Sequence, residues 1–230
     1  ADLDLSLIYA DNAMNGNQNV PLSTLGNAAH GYSHPDYTDT RSFTLNLRGS
    51  LALNAVNSFT GNVYYRNISR DVFNSNVGNP VAASTNDPTC VATADCPASN
   101  LLAHYTQNIY GGNLQWSNSG KLFDKTQVLT VGVNAEYGKT AFTNSGQDAI
   151  VDASSGTVGV AAFMPQAAIQ SSNRRFGLFA TETFDATARL AVTVSARYDY
   201  ASINLSGTSC TDPNSLCNSA AVVSITPGTN

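Results

Sequence analysis

Apolar and polar residues alternate along most of this 230-residue chain with a period of two. Only an extended strand gives its side chains that period, because successive residues point to opposite faces. In residues 2–10, Leu3, Leu5, Leu7 and Tyr9 share one face, and Asp2, Asp4 and Ser6 the other. At 42–53, Phe43, Leu45, Leu47, Leu51 and Leu53 oppose Thr44, Asn46, Arg48 and Ser50. Phe59, Val63 and Tyr65 then oppose Asn62, Tyr64 and Arg66. At 104–117, Tyr110, Leu114 and Trp116 oppose Gln107, Asn113 and Gln115. Leu129, Val131, Val133, Ala135 and Tyr137 oppose Thr130, Asn134 and Glu136. Phe176, Leu178 and Ala180 oppose Arg175, Gly177 and Thr181, with Phe179 an exception on the polar side. In the seventh run, Leu190, Val192, Val194, Ala196, Tyr198 and Tyr200 oppose Thr193, Ser195, Arg197 and Asp199. The apolar sides are rich in β-branched and aromatic residues, which favour strands. The sequence predicts seven strands of roughly 9–13 residues and no amphipathic helix beyond a short helical turn within 158–169.

The connections alternate in length. Links of about 30 (11–40), 33 (71–103) and 28 (145–172) residues are separated by links of about 5 (54–58), 8 (118–125) and 5 (185–189). All the long links therefore fall at one end of the strands. A soluble sandwich buries its apolar faces between two sheets and does not sort its loops in this way. A transmembrane β-barrel does: lipid offers no hydrogen-bond partners, so backbone groups pair in a closed sheet with an apolar exterior. The aromatic residues Tyr9, Phe43, Phe59, Tyr65, Trp116, Tyr137, Phe176, Phe184, Tyr198 and Tyr200 lie near strand ends, as interfacial girdles require.

The expected fold is thus all-β. It is an antiparallel transmembrane β-barrel segment of about seven strands within a single domain (1–230), with short periplasmic turns and long extracellular loops. Seven strands do not close a barrel, since bacterial single-chain barrels have even numbers. Ala220–Thr226 offers an eighth strand too short to span. The chain reads as part of a larger barrel.

Composition removes other classes. Only 12% of residues are charged and the formal net charge is -5, which excludes the basic surface of a nucleic-acid binder. No stretch approaches the ~18 apolar residues of a transmembrane helix. The opening Ala1-Asp2-Leu3-Asp4 has no signal-peptide character. Cys90, Cys96, Cys210 and Cys217 form two close pairs in polar stretches. That spacing points to loop disulfides in an oxidising compartment rather than to zinc.

The hairpin Asn173-Arg174-Arg175-Phe176-Gly177-Leu178-Phe179-Ala180-Thr181-Glu182-Thr183-Phe184, turn, Arg189-Leu190-Ala191-Val192-Thr193-Val194-Ser195-Ala196-Arg197-Tyr198-Asp199-Tyr200 resembles a recurrent hairpin of TonB-dependent outer-membrane receptors, the siderophore-receptor type. The resemblance implies an internal third of a 22-stranded barrel in the bacterial outer membrane. It also implies a plug domain and an inner-membrane energy-coupling protein as partners, and uptake of a ferric siderophore or similar bulky nutrient across outer-membrane lipid. The chain departs from the family pattern: it shows neither plug nor energy-coupling box, and its last residues are Pro227-Gly228-Thr229-Asn230. The alternatives are a passive porin-like or small structural barrel, and a secreted β-sandwich adhesin or lectin.

No catalytic constellation is visible, no Gly-x-Ser-x-Gly turn is present, and neither enzyme activity, a resident metal nor a cofactor is expected. His30, Tyr32, His34 and Tyr37 in the first long link are candidates for ligand capture. His104 is expected to open a strand at the interface. Arg48, Arg66, Glu136, Arg197 and Asp199, with Asp4, are expected to face the lumen.

Overall fold

The computed structural model describes residues 1–15, 34–77, 97–151, 156–210 and 220–225. Its regular elements are all strands: β1 (Asp2–Asn15), β2 (Tyr37–Ala52), β3 (Asn57–Val77), β4 (Pro97–Asn118), β5 (Lys121–Leu122), β6 (Lys125–Val151), β7 (Thr157–Gly159), β8 (Met164–Thr187), β9 (Leu190–Cys210) and β10 (Ala220–Ile225). They form one sheet in the order β1-β2-β3-β4-β6-β8-β9-β10, with β5 and β7 attached to β6. Every pairing along this order is antiparallel, an up-and-down meander of the long strands. β1 and β10 end the order without meeting, so the sheet is open.

The sheet is a single layer. The only buried hydrophobic residues among those described are Ala98, Ile109 and Ala149, whereas Leu3 is 76% exposed and Val194 65%. Each fully buried Leu or Val side chain contributes about 1.5–3 kcal/mol in a soluble fold. This sheet collects almost none of that from its own chain. A β-sandwich is thereby overturned, because no second layer covers Leu45, Val131 or Val194 among the described residues.

The strands outrun their sequence signal. The seven long ones measure 14, 16, 21, 22, 27, 24 and 21 residues, against the 9–13 expected. All the added length beyond ten residues of β1, and most of it elsewhere, lies at the long-link end. There both faces are mostly polar, and ladder hydrogen bonds continue without a sustained hydrophobic alternation. β10 adds an eighth strand of 6 residues, paired with Leu205–Cys210. The helical turn expected within 158–169 is not formed. Thr157–Gly159 pairs with Ala149–Val151, and β8 begins at Met164.

Two faces therefore run the length of the sheet without inversion from β1 to β6, whose registers are unbroken. Tight turns at the other end hold them in phase. Leu53 N donates to Asn57 O at 2.9 Å, and Asn54 Oδ1 accepts from the Val56 and Asn57 amides at 3.0 and 2.9 Å. Phe123 and Asp124, both at positive φ, close the two-residue turn between β5 and β6.

Candidate functional site

The polar face carries a continuous ribbon of side chains. Register aligns Asp4, Arg48, Asn62, Asn113, Asn134, Gly177 and Asp199 across seven strands. The adjoining row contains Asn46, Tyr64, Gly111, Glu136 and Arg175. Arg66 and Arg197 lie on the same face in flanking rows. The charges expected on one face thus share it. Tyr64, Arg175 and the four asparagines, absent from the expected charge set, complete it.

Hydrogen bonds knit this ribbon, and two skip a strand. The Tyr64 hydroxyl donates to Glu136 Oε2 at 2.6 Å, crossing β4 above Gly111. A Cβ at Gly111 would come within 2.4 Å of the Tyr64 ring, so only glycine admits this crossing. Arg197 donates to Asn134 Oδ1 at 3.2 Å across β8, and binds Asp199 through Nε and Nη2 at 2.6 and 2.7 Å. Asn62 Nδ2 donates to Asn46 at 2.9 Å, and Asn113 Nδ2 donates to Asn62. Phe179 owes its place on this face to Gly132, over which its ring lies: a Cβ there would meet the ring at 2.3 Å.

The opposite face carries an apolar band between two aromatic girdles. The band includes Leu3, Leu114, Val133, Leu178 and Tyr198 in one row and Leu5, Leu47, Val63, Phe176 and Tyr200 in the next. Phe59 and Trp116 pair at the turn end, where Trp116 Nε1 donates to Asn57 Oδ1 at 3.2 Å. Tyr9, Phe43, Tyr65, Tyr110 and Tyr137 lie at the other margin. Ring centroids there are 6.2 Å apart for Phe43–Tyr65 and 4.9 Å for Tyr65–Tyr110, and the Tyr65 hydroxyl donates to Asn108 Oδ1 at 2.7 Å. Trp116 and Tyr110 are separated by about 20 Å along β4.

Beyond the second girdle the same side is covered by the chain itself. Register keeps Ser75, Asn100 and Gln147 on the side of Tyr65, Tyr110 and Tyr137. Ser75 and Asn100 are nevertheless 0% and 3% exposed, because the segment 156–163 folds over them. The Thr157 hydroxyl sits 2.8 Å from Ser75 Oγ and 2.5 Å from Asn100 Oδ1, and Asn100 Nδ2 donates to Gln147 Oε1 at 2.8 Å. Ser75 Oγ donates to the Pro35 carbonyl, and Thr157 N to the His34 carbonyl at 2.7 Å.

His34 and Tyr37, two of the four capture candidates, belong to this cover. His34 bridges to Gly156, and Tyr37 stacks on Phe73 at 5.5 Å. His30 and Tyr32 lie outside the described residues, as do Cys90, Cys96 and Cys217. Cys210 ends β9 opposite Ala220. His104 does not open a strand: it sits inside β4, which starts at Pro97, and its Nδ1 meets Asp71 Oδ1 at 2.5 Å. Among the described residues no group of three His, Cys, Asp or Glu side chains converges as a metal site.

A family model described as the β-barrel of TonB-dependent receptor-like proteins matches residues 2–222. No curated protein matches the chain. Among solved structures, it is similar to the ferric-catecholate import receptor Fiu from E. coli K12. With the closed form the TM-score is 0.66 at 13% identity, covering 97% of this chain and 36% of that one. With the open form it is 0.65 at 12% identity, covering 97% and 39%. The chain thus spans little more than a third of the length of these structures.

Proposed function

Because the chain belongs to the TonB-dependent receptor-like β-barrel family, we propose that it forms part of the barrel wall of a bacterial outer-membrane uptake receptor. The single observation that carries this reading is the apolar band on a one-layer sheet. Its exposed leucines and valines need a covering that this sheet does not supply, and hydrocarbon meets that need. The band spans about nine residues along β6, within the 9–11 tilted residues that cross a bilayer. The short turns are then periplasmic and the long links extracellular.

The polar face lines the interior. Asp4, Arg48, Arg66, Glu136, Arg175, Arg197 and Asp199 make it a charged wall, against which a plug domain seats in the intact receptor. The hydrogen bonds that skip strands brace the wall so that plug movement does not distort it. The extracellular links, with His30, Tyr32, His34 and Tyr37, contribute to capture of a ferric siderophore or another bulky nutrient. An inner-membrane energy-coupling protein drives release. This segment performs binding and containment rather than covalent chemistry.

Deletion of the complete gene tests the reading. The mutant is expected to lose energy-dependent uptake of one member of a ferric-siderophore panel under iron limitation, with the protein recovered in the outer-membrane fraction of the parent. Recovery in a soluble fraction would overturn the proposal; unchanged uptake across the panel would remove the siderophore part of it.

A further inference from the structure

We infer that Lys139 and Arg174, flanking the ring of Tyr137 on the apolar-band face, form a site for the phosphate of a membrane-lipid headgroup. The inference rests on the membrane placement proposed above. Lys139 Nζ lies 5.9 Å and the Arg174 guanidinium 5.8 Å from the Tyr137 ring centroid. Tyr137 is two residues before Lys139 on β6 and is the cross-strand partner of Arg174 on β8, so one ring positions both cations. Both side chains are exposed.

Three features make this pair a site. The first is charge. From β4 to β9, the rows through Tyr137, Lys139 and Ala141 hold Tyr110, Asn108, Thr106, Arg174, Ser172, Gln170, Ser202, Asn204 and Ser206, with no carboxylate. Elsewhere among the described residues Arg41 is matched by Asp11 at 3.6 Å and Arg197 by Asp199 at 2.6 Å. The second is shape. A groove lined by Asn108, Lys139, Gln170, Ser172, Asn204 and Ser206 opens beside the cations, supplying neutral hydroxyl and amide donors for phosphate oxygens. The third is depth. Tyr137 stands in the aromatic girdle, the level at which headgroups meet protein. A soluble anion would instead meet the chain from the polar face, where Arg48, Arg66 and Arg175 lie. The position of the pair on the band side selects a lipid as the source of the phosphate.

The intact receptor, purified in detergent, tests this by native mass spectrometry titrated with diphosphoryl lipid A. The comparison arms are its dephosphorylated form and inorganic pyrophosphate. Retention of the diphosphoryl lipid is expected to weaken about fivefold for Lys139→Gln or Arg174→Gln and about thirtyfold for both together. Arg41→Gln, on the same side but matched by Asp11, should leave it unchanged, and the double variant K139R/R174K should retain most binding. Heat-modifiable migration of each variant reports that the barrel has folded. Unchanged retention in a folded double variant overturns the inference, as does equal weakening by Arg41→Gln. Pyrophosphate bound as tightly as the lipid also overturns it, by assigning a soluble-anion site. A nitroxide at Val133 separates the two readings. If it reports lipid while retention is unchanged, this inference alone falls; if it reports water, the membrane placement falls and the site with it.

Discussion

Tyr110 and Asn100 share one strand and one side of the sheet, yet they are covered by different materials. Around Tyr110 the side chains are apolar and exposed, with Leu114 at 52% and Tyr110 itself at 52%. Around Asn100 buried polar side chains, Ser75 and Thr157, lie beside the small apolar Ala98 and Ala149, with the chain's own segment 156–163 as the cover. The backbone ladder is identical in the two regions; only the covering differs. Hydrocarbon accepts no hydrogen bonds, so the band must be apolar and can do without neighbours from its own chain. Where lipid ends, a polar surface needs either water or partners. Here Ser75, Asn100, Gln147 and Thr157 find partners in one another.

Breaking the band is expected to have the largest effect. Val133→Arg places a charge in the middle row and should destabilise the folded receptor in a bilayer by about 2–4 kcal/mol, read as a shift of the urea midpoint. The same change at Asn134, on the other face, should cost far less. Breaking the cover comes next. Thr157→Val removes the hydroxyl that donates to the buried Asn100 Oδ1, a local loss of about 1–3 kcal/mol. Amide exchange across 156–163 should accelerate while the urea midpoint of the barrel stays in place. A falling midpoint would mean that the two regions are one cooperative unit.

The polar wall should respond less. Gly111→Ala pushes the Tyr64 ring off its crossing and separates it from Glu136, for a loss of about 1 kcal/mol. Tyr64→Phe should lose as much without any steric conflict, and the double variant should add little. The smallest effect belongs to the exposed cross-strand pair Ser195–Thr181, 3.2 Å apart. Ser195→Ala should cost about 0.2–1 kcal/mol, near the limit of an unfolding measurement.

The difference between the regions also explains what could be read in advance. Leu129, Val131, Val133, Ala135 and Tyr137 declare their strand because one face is apolar. The continuation of β6 from Ser145 to Val151 has no such contrast, so its strand was hidden in the polar link 145–172. The segment 158–169 is apolar enough to suggest a helical turn, but pairing of its start with the β6 extension wins because it satisfies the free backbone groups on that edge. The charged positions Arg48, Glu136, Arg197 and Asp199 were legible by phase alone. The row of Asn62, Asn113 and Asn134 was not, because aligning separate strands depends on turn register. Phe179 looked out of phase because the sequence pattern does not disclose that Gly132 lies beside it. The resemblance at 173–200 supplied what periodicity leaves open, the family of barrels to which these strands belong.

The central claim is that the face carrying Val131 and Val194 touches hydrocarbon while the face carrying Asn134 does not. Nitroxide labels on Val131→Cys, Val194→Cys and Asn134→Cys, each in the complete receptor reconstituted in a bilayer, measure this through relaxation by oxygen and by a water-soluble nickel chelate. Oxygen should dominate at positions 131 and 194, with neither strongly oxygen-exposed behaviour nor lipid contact at 134. Nickel dominance at 131 and 194, or protection of both from either reagent, would contradict the account.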